Sequence, residues 1–152
     1  MTNNQTNQTM KGKRQMKNII ATLLTAAALT AVALAAKDKP VAVQTMPPLV
    51  VKTVPQCGDT AVDPALKEIH VTFSKEMQTK GMWAICQISK ETFPEGDGKI
   101  HYLDDNRTCV FPVKLQPGKT YVLWFNRAQF NSFRDTENNP AIPYLLVFQT
   151  RK

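Results

Sequence analysis

The stretch from Glu68 to Ser74 (EIHVTFS) determines the fold class of this chain. Its apolar residues Ile69, Val71 and Phe73 occupy alternate positions, which is the period of a β-strand with one buried face. The polar residues between them then point toward solvent. The pattern therefore predicts a half-buried strand of an antiparallel sheet.

Other segments on both sides of this stretch have the composition of short strands and are separated by turn residues. No segment has a helical period long enough for a core helix, so we expect an all-β, two-sheet antiparallel sandwich of about seven strands. Pro112 lies inside one segment, and because proline cannot donate to a ladder, that strand is predicted to be an edge strand or to be interrupted there. The other predicted strands are 49–54, 82–88, 99–103, 107–115, 120–126 and 144–150.

The N-terminal part has the layout of a secretory signal. An uncharged segment of 18 residues, Ile19 to Ala36, follows a basic run and ends in small residues, so a helical signal with cleavage after Ala33 or Ala35 is expected. The alternative is an uncleaved anchor, because this length is just sufficient to span a bilayer. The sequence thus predicts an exported protein, periplasmic or secreted, that contacts the membrane only through an uncleaved signal. Its predicted parts are a tail and signal peptide at 1–35, a linker at 36–47 and one domain at 48–152.

The formal net charge of +7 is unevenly distributed along the chain. Four basic residues precede the apolar segment, and beyond Ala35 15 Lys/Arg stand against 12 Asp/Glu, which leaves +3. Aromatic and basic residues do occur together near residue 130, a pattern found in single-strand binders. Alternate aromatic residues of a strand are usually core, and an exported protein seldom meets nucleic acid, so we expect no nucleic-acid binding. The residues of this cluster are Trp124, Phe125, Arg127, Phe130, Phe133 and Arg134.

The three cysteines allow one disulfide bond in an exported chain and leave one thiol over. Cys86 and Cys109 lie in strand-like segments, whereas Cys57 lies in a turn-like segment. If a bridge forms, we expect it between Cys86 and Cys109. The alternative is that the cysteines are buried as free thiols.

Four motifs occur in an order that is typical of one family. They are Val54-Pro55 with Gly58 and Val62, Ile69 to Met77 (IHVTFSKEM), Leu115 to Tyr121 (LQPGKTY), and Phe148 to Thr150 (FQT) after a loop that contains Asp135. From Pro48 to Thr150 the chain resembles the bacterial Ig-like domain that was first described in S-layer proteins of the SbsA type. The resemblance implies an immunoglobulin-like sandwich, usually a non-catalytic module of exported or surface proteins. Cys57 and the long connection Arg127 to Pro143 depart from a minimal version of that domain.

The third motif also has a structural interpretation that is independent of the family. Pro117 and Gly118 form a tight turn, and Tyr121 begins the next strand on its inward face. A buried ring at this place can send its hydroxyl back to a nearby backbone group, which is a tyrosine corner. The alternative is an ordinary, partly exposed strand tyrosine.

Groups that carry out catalysis or bind metals are few in this sequence. His70 and His101 are the two histidines, and no CxxC, HxxxH or HExxH spacing is present. Several carboxylates lie near one turn, but the DxDxDG loop that binds calcium is absent. We therefore predict a protein that is not an enzyme, with no catalytic residue, metal ligand or cofactor; a small Cys/His hydrolase is a further alternative. The carboxylates are those of Glu95, Asp97, Asp104 and Asp105.

Strand alternation predicts an apolar surface on the last two strands. Their inward positions are taken by alternate apolar residues, so the residues between these point outward, and the two strands are neighbours in an Ig-like sandwich. Such a patch is a candidate docking surface, with Trp124 as its anchor. The alternative is that the connection Arg127 to Pro143 folds back and covers it. We call the patch the partner face; it consists of Val122, Trp124, Leu145 and Val147.

These observations favour an exported, non-catalytic Ig-like module with a structural or protein-binding role at the cell envelope. The main alternative is a carbohydrate-binding module of the envelope, in which exposed tryptophan rings stack on sugar faces. The expected partner is accordingly an unknown protein or an envelope polysaccharide.

Overall fold

The computed structural model describes residues 41–152, and within this range every regular element is a β-strand. The strands form two antiparallel sheets, so the predicted all-β sandwich is confirmed, with eight strands instead of about seven. The predicted tail, signal segment and cleavage sites lie outside the described residues. Within residues 41–152 no helix has the length and apolarity needed to cross a membrane.

The first sheet has five strands in the order β1-β2-β6-β4, with β5 also paired to β6, and the second has the order β3-β7-β8. Each strand pair is antiparallel. The strands are β1 (Val50–Val54), β2 (Glu68–Phe73), β3 (Ile85–Gln87), β4 (Glu95–Gly96), β5 (His101–Tyr102), β6 (Thr108–Lys114), β7 (Thr120–Phe125) and β8 (Tyr144–Gln149).

The core between the sheets follows the alternation of the sequence. In β2 the apolar residues Ile69, Val71 and Phe73 are at most 1% exposed, whereas the residues between them are partly exposed. The ring of Phe133 packs beside Phe73 with its centroid 5.0 Å away, and beside Phe125 at 6.0 Å. Offset and edge contacts of this kind stabilise aromatic pairs beyond simple burial.

Pro112 lies within β6, a central strand that runs unbroken from Thr108 to Lys114, so the prediction of an edge strand or of an interruption was wrong. On one side β6 pairs with β2. On the other side β5 pairs with Cys109 and Val110, and β4 pairs with Val113 and Lys114. The carbonyl of Pro112 accepts a hydrogen bond from the N–H of Asp97 on this second side. Because the nitrogen and the carbonyl of a residue in an antiparallel ladder point to the same side, the Pro112 nitrogen, which has no hydrogen to donate, faces the position between β5 and β4.

The predicted strand at 82–88 is reduced to β3, and the short strand β4 was not predicted. The carbonyl of Met82 accepts a hydrogen bond from the Tyr102 hydroxyl at 3.1 Å. Side-chain bonding therefore occupies the start of this apolar run, and the ladder with β7 begins only at Ile85. Apolar composition alone does not distinguish residues that pair in a ladder from residues whose backbone binds a side chain.

Candidate functional site

The partner face lies on the outer surface of the β3-β7-β8 sheet. Val122 pairs with Val147 and Trp124 with Leu145, so the four side chains form two cross-strand rows. Cys86 of β3 is opposite Trp124 and extends its row. All of these residues are half-buried, while the alternate positions of β7 are at most 1% exposed. The register therefore brings together the residues that the sequence assigned to one face.

The long connection from residue 127 to residue 143 places its apolar side chains elsewhere. Phe133 and Ala141 lie in the core, 0% and 3% exposed, whereas Phe130 and Ile142 are 59% and 46% exposed. Phe133 and Ala141 are therefore used by the core, while Phe130 and Ile142 keep about half of their surface exposed.

Asn126 holds this connection against the sheet and was not recognised in the sequence. It is fully buried at the end of β7, with a φ of 60°. Its amide nitrogen donates to the carbonyls of Phe133 and Ala141 at 3.0 and 2.9 Å, and its amide oxygen accepts the N–H of Phe133 at 3.0 Å. Asparagine tolerates a positive φ better than most residues, and its amide satisfies three backbone groups that would otherwise be buried without partners.

Tyr121 closes the turn that contains Pro117 and Gly118. The ring is 1% exposed and stacks on Phe148 with the centroids 5.3 Å apart. Its hydroxyl accepts a hydrogen bond from the N–H of Gln116 at 2.7 Å, so it acts as the acceptor of this bond. Gly118 has a φ of 67°, a conformation that glycine adopts without a steric cost.

The cysteines do not form a bridge in this structure, where Cys57, Cys86 and Cys109 are all free thiols. The expected pair is separated by its strands: Cys86 shares the outer face of its sheet with Trp124, whereas Cys109 is buried in the core on β6. In this structure the two strands belong to different sheets and the Cys86 side chain lies on an outer face. Burial raises the pKa of Cys109 to about 12, so this thiol stays protonated at neutral pH.

The histidines and acidic residues have other partners or lie apart from one another. His70 contacts the Glu68 carboxylate at 3.0 Å, and His101 lies on the opposite face of its sheet from Cys109. Asp97 binds Lys114 at 3.0 Å. In the part of the chain that the structure describes, no group of three or more His, Cys, Asp or Glu residues is arranged to hold a metal ion.

The carboxylate of Asp105 is likewise occupied by its own loop. It accepts hydrogen bonds from the backbone N–H groups of Arg107 and Thr108 at 2.9 and 2.8 Å, and from the Thr108 hydroxyl at 2.7 Å. Burial would raise the pKa of Asp105, but these bonds to the charged form outweigh it and lower the pKa. Asp105 therefore stabilises a turn.

Lys75 and the buried Asp135 form an ion pair, and Lys75 also binds the backbone of residues that precede β1. The ammonium of Lys75 donates to the carbonyls of Gln44 and Met46 at 2.9 and 2.7 Å and to the Asp135 carboxylate at 3.2 Å. Burial would raise the pKa of Asp135, but hydrogen bonds from Asn139 and the charge of Lys75 lower it. Because this pKa is lowered in the folded state, the carboxylate stabilises the fold above its unfolded pKa, and this contribution is lost as the pH falls through the folded value.

A groove lined by aromatic rings opens beside β3 and was not predicted. Its volume is about 540 Å³, within the usual range of ligand sites. The rings of Phe93 and Phe111 lie 5.9 Å apart at its base, and Phe130 is exposed at its rim. We call this the aromatic groove; it is lined by Trp83, Ala84, Ile85, Cys86, Phe93, Gly96, Ile100, Phe111, Phe130 and Ser132.

A second cleft adjoins the aromatic groove and shares Trp83 and Ile100 with it. Its volume is about 370 Å³ and most of its other residues are polar. The side chains of Lys80, Lys99 and Asp104 form no hydrogen bond or ion pair with any residue that the structure describes. We call this the polar cleft; its other lining residues are Thr79, Gly81, His101, Tyr102, Leu103 and Asn106.

Comparison with known proteins gives the family. No curated protein matches the chain. Among solved structures, the crystal structure of the S-layer protein rSbsC(31-844) matches with a TM-score of 0.45 and 19% identity over 70% of this chain. The structure of surface layer protein SbsC, domains 1-6, matches with a TM-score of 0.46 and 19% identity over 72%. This chain spans 14% of the length of each of these structures. The model of the bacterial Ig-like domain matches residues 44–150, and the chain therefore belongs to the bacterial Ig-like domain family.

Proposed function

We propose that this protein is exported and acts at the cell envelope as a non-catalytic Ig-like module that binds another protein through its partner face. The family supports a non-enzymatic envelope module. A closer kinship to SbsA-type domains, a periplasmic or secreted location, and cleavage after Ala33 or Ala35 belong to the same proposal.

The observation that carries the proposal is the pairing on the β3-β7-β8 sheet. Trp124 and Leu145 form one cross-strand row and Val122 and Val147 the next, with Cys86 beside Trp124. A surface that combines a tryptophan anchor with aliphatic neighbours is typical of the centre of a protein interface. The four side chains of the partner face are half-buried, so part of each is exposed to a partner.

Photo-crosslinking in cells tests this proposal. A photoreactive amino acid is placed at Val122 of the full chain, and in a control at Lys52, an exposed residue on the other sheet. We expect an adduct of discrete mass from Val122 in the envelope fraction and none from Lys52. The same adducts from both positions, or none from Val122, would rule out the partner face.

A second candidate function is carbohydrate binding at the envelope. The aromatic groove favours it, because Trp83 lines both this apolar groove and the adjoining polar cleft. Retention of the full chain on purified cell-wall polysaccharide, compared with retention on an inert matrix, tests this function without reference to a particular site.

A further inference from the structure

We propose that the aromatic groove and the polar cleft together bind a neutral saccharide chain, with one sugar ring stacked on Trp83. This inference rests on carbohydrate binding as the second candidate function, and it adds the site, the ligand class and the residues that select it. It involves none of the four residues of the partner face, although Cys86, which extends the Trp124 row, also lines the aromatic groove.

The aromatic groove offers a platform that is already formed. Trp83 is half-buried, so part of its ring is available from the groove. Phe111 is 6% exposed and fixed by the ring of Phe93, whereas Phe130 at the rim is 59% exposed. An exposed phenylalanine beside a tryptophan in a concave surface offers C–H and π contacts to an apolar face, such as the flat face of a hexose.

Gly96 keeps the groove open above Phe111. A Cβ atom at this position would lie 3.5 Å from the Phe111 ring, in ordinary contact. Gly96 pairs with Val113, which is fully buried, so a side chain at position 96 would point toward the groove. The backbone at Gly96 has no positive φ, and conformation alone therefore does not require a glycine here. The missing side chain leaves the groove open at this point.

The polar cleft supplies hydrogen-bonding groups on the other side of Trp83. Lys80 and Lys99 are donors, and the Asp104 carboxylate is an acceptor. All three side chains lack a partner among the described residues, so they are available to a ligand. Sugar hydroxyls both donate and accept, and a cleft that offers both kinds of group close to an aromatic ring matches their chemistry.

A neutral saccharide fits this combination better than the other ligand classes. An anionic ligand would favour a cleft without a carboxylate, but Asp104 lies beside the two lysines. An apolar peptide would bury the aromatic groove and leave the charged groups of the cleft unused. A sugar chain uses both parts, because each ring has an apolar face and a polar edge.

Titration of the full chain with two soluble probes, chitohexaose and cellohexaose, tests the site by calorimetry. We expect binding of at least one probe, weakened about tenfold or more by Trp83→Ala because the stacked ring is lost. Gly96→Leu should also abolish binding, since its side chain fills the groove beside Phe111 while every original ring remains. Glu95→Leu is the matched control, because it adds the same side chain on the opposite face of β4, and it should bind as the wild type does.

The outcomes separate the site from the function. If a probe binds and neither Trp83→Ala nor Gly96→Leu weakens it, the protein binds carbohydrate elsewhere and the proposed site is wrong. If neither probe binds but the chain is retained on cell-wall polysaccharide, the predicted ligand class of the groove is wrong while the function stands. Failure of both measurements overturns site and function together, whereas binding of only an apolar peptide to the groove overturns the saccharide assignment. Circular dichroism of each variant verifies that it is folded.

Discussion

Tyr121 shows how a single side chain joins two structural roles in this domain. Its ring packs in the core against Phe148, and its hydroxyl binds the backbone of the turn that precedes the strand. The N–H of Gln116 would otherwise need another partner. The residue was identified from the sequence because a Pro-Gly turn next to a strand tyrosine is a local pattern that does not depend on distant parts of the chain.

We predict that Tyr121→Phe destabilises the domain by about 1 kcal/mol or more, because the N–H of Gln116 loses its acceptor while the ring is retained. Chemical denaturation measures the change in the free energy of unfolding. Tyr102→Phe is a useful comparison, since its hydroxyl donates to a carbonyl instead of accepting from an N–H. An unchanged midpoint for Tyr121→Phe would show that the hydroxyl contributes nothing to the corner.

At the scale of elements, the alternating strands were predictable and the connection between β7 and β8 was not. Ile69, Val71 and Phe73 occupy the core because period-two alternation is a local property of the chain. Asn126 binds backbone groups 7 and 15 residues further along, which no local pattern reveals. The same reason explains the unpredicted aromatic groove, whose residues come from segments that are distant in the sequence.

We predict that Asn126→Asp destabilises the domain by roughly 2 kcal/mol or more. The substitution keeps the shape and the tolerance of a positive φ, but it removes the donors to two buried carbonyls and introduces a buried charge. Asn138→Asp is the matched control, because Asn138 also has a positive φ but is exposed. Thermal unfolding of the two variants compares them directly, and equal losses would mean that the buried amide does not hold the connection.

At the scale of the whole molecule, residues that precede the first strand also contact the sandwich. The sequence placed residues 36–47 in a linker, since their prolines and charges show no periodicity. Lys75 nevertheless binds the carbonyls of Gln44 and Met46, and the family match also begins at residue 44. These contacts were hidden from sequence reasoning because they are made by backbone groups, which every residue possesses.

The last prediction concerns these contacts. A chain that begins at Ala42 should be more stable than one that begins at Pro48 by about 1 to 3 kcal/mol, because the shorter chain removes two acceptors from a largely buried ammonium. In a Lys75→Met background both chains lack the ammonium, so the difference between them should disappear, which makes the four proteins a double-mutant cycle. Denaturant unfolding of the four measures the coupling. If the shorter chain is equally destabilised in both backgrounds, residues 42–47 act through other contacts; if it is as stable as the longer chain, the domain begins at residue 48 as the sequence predicted.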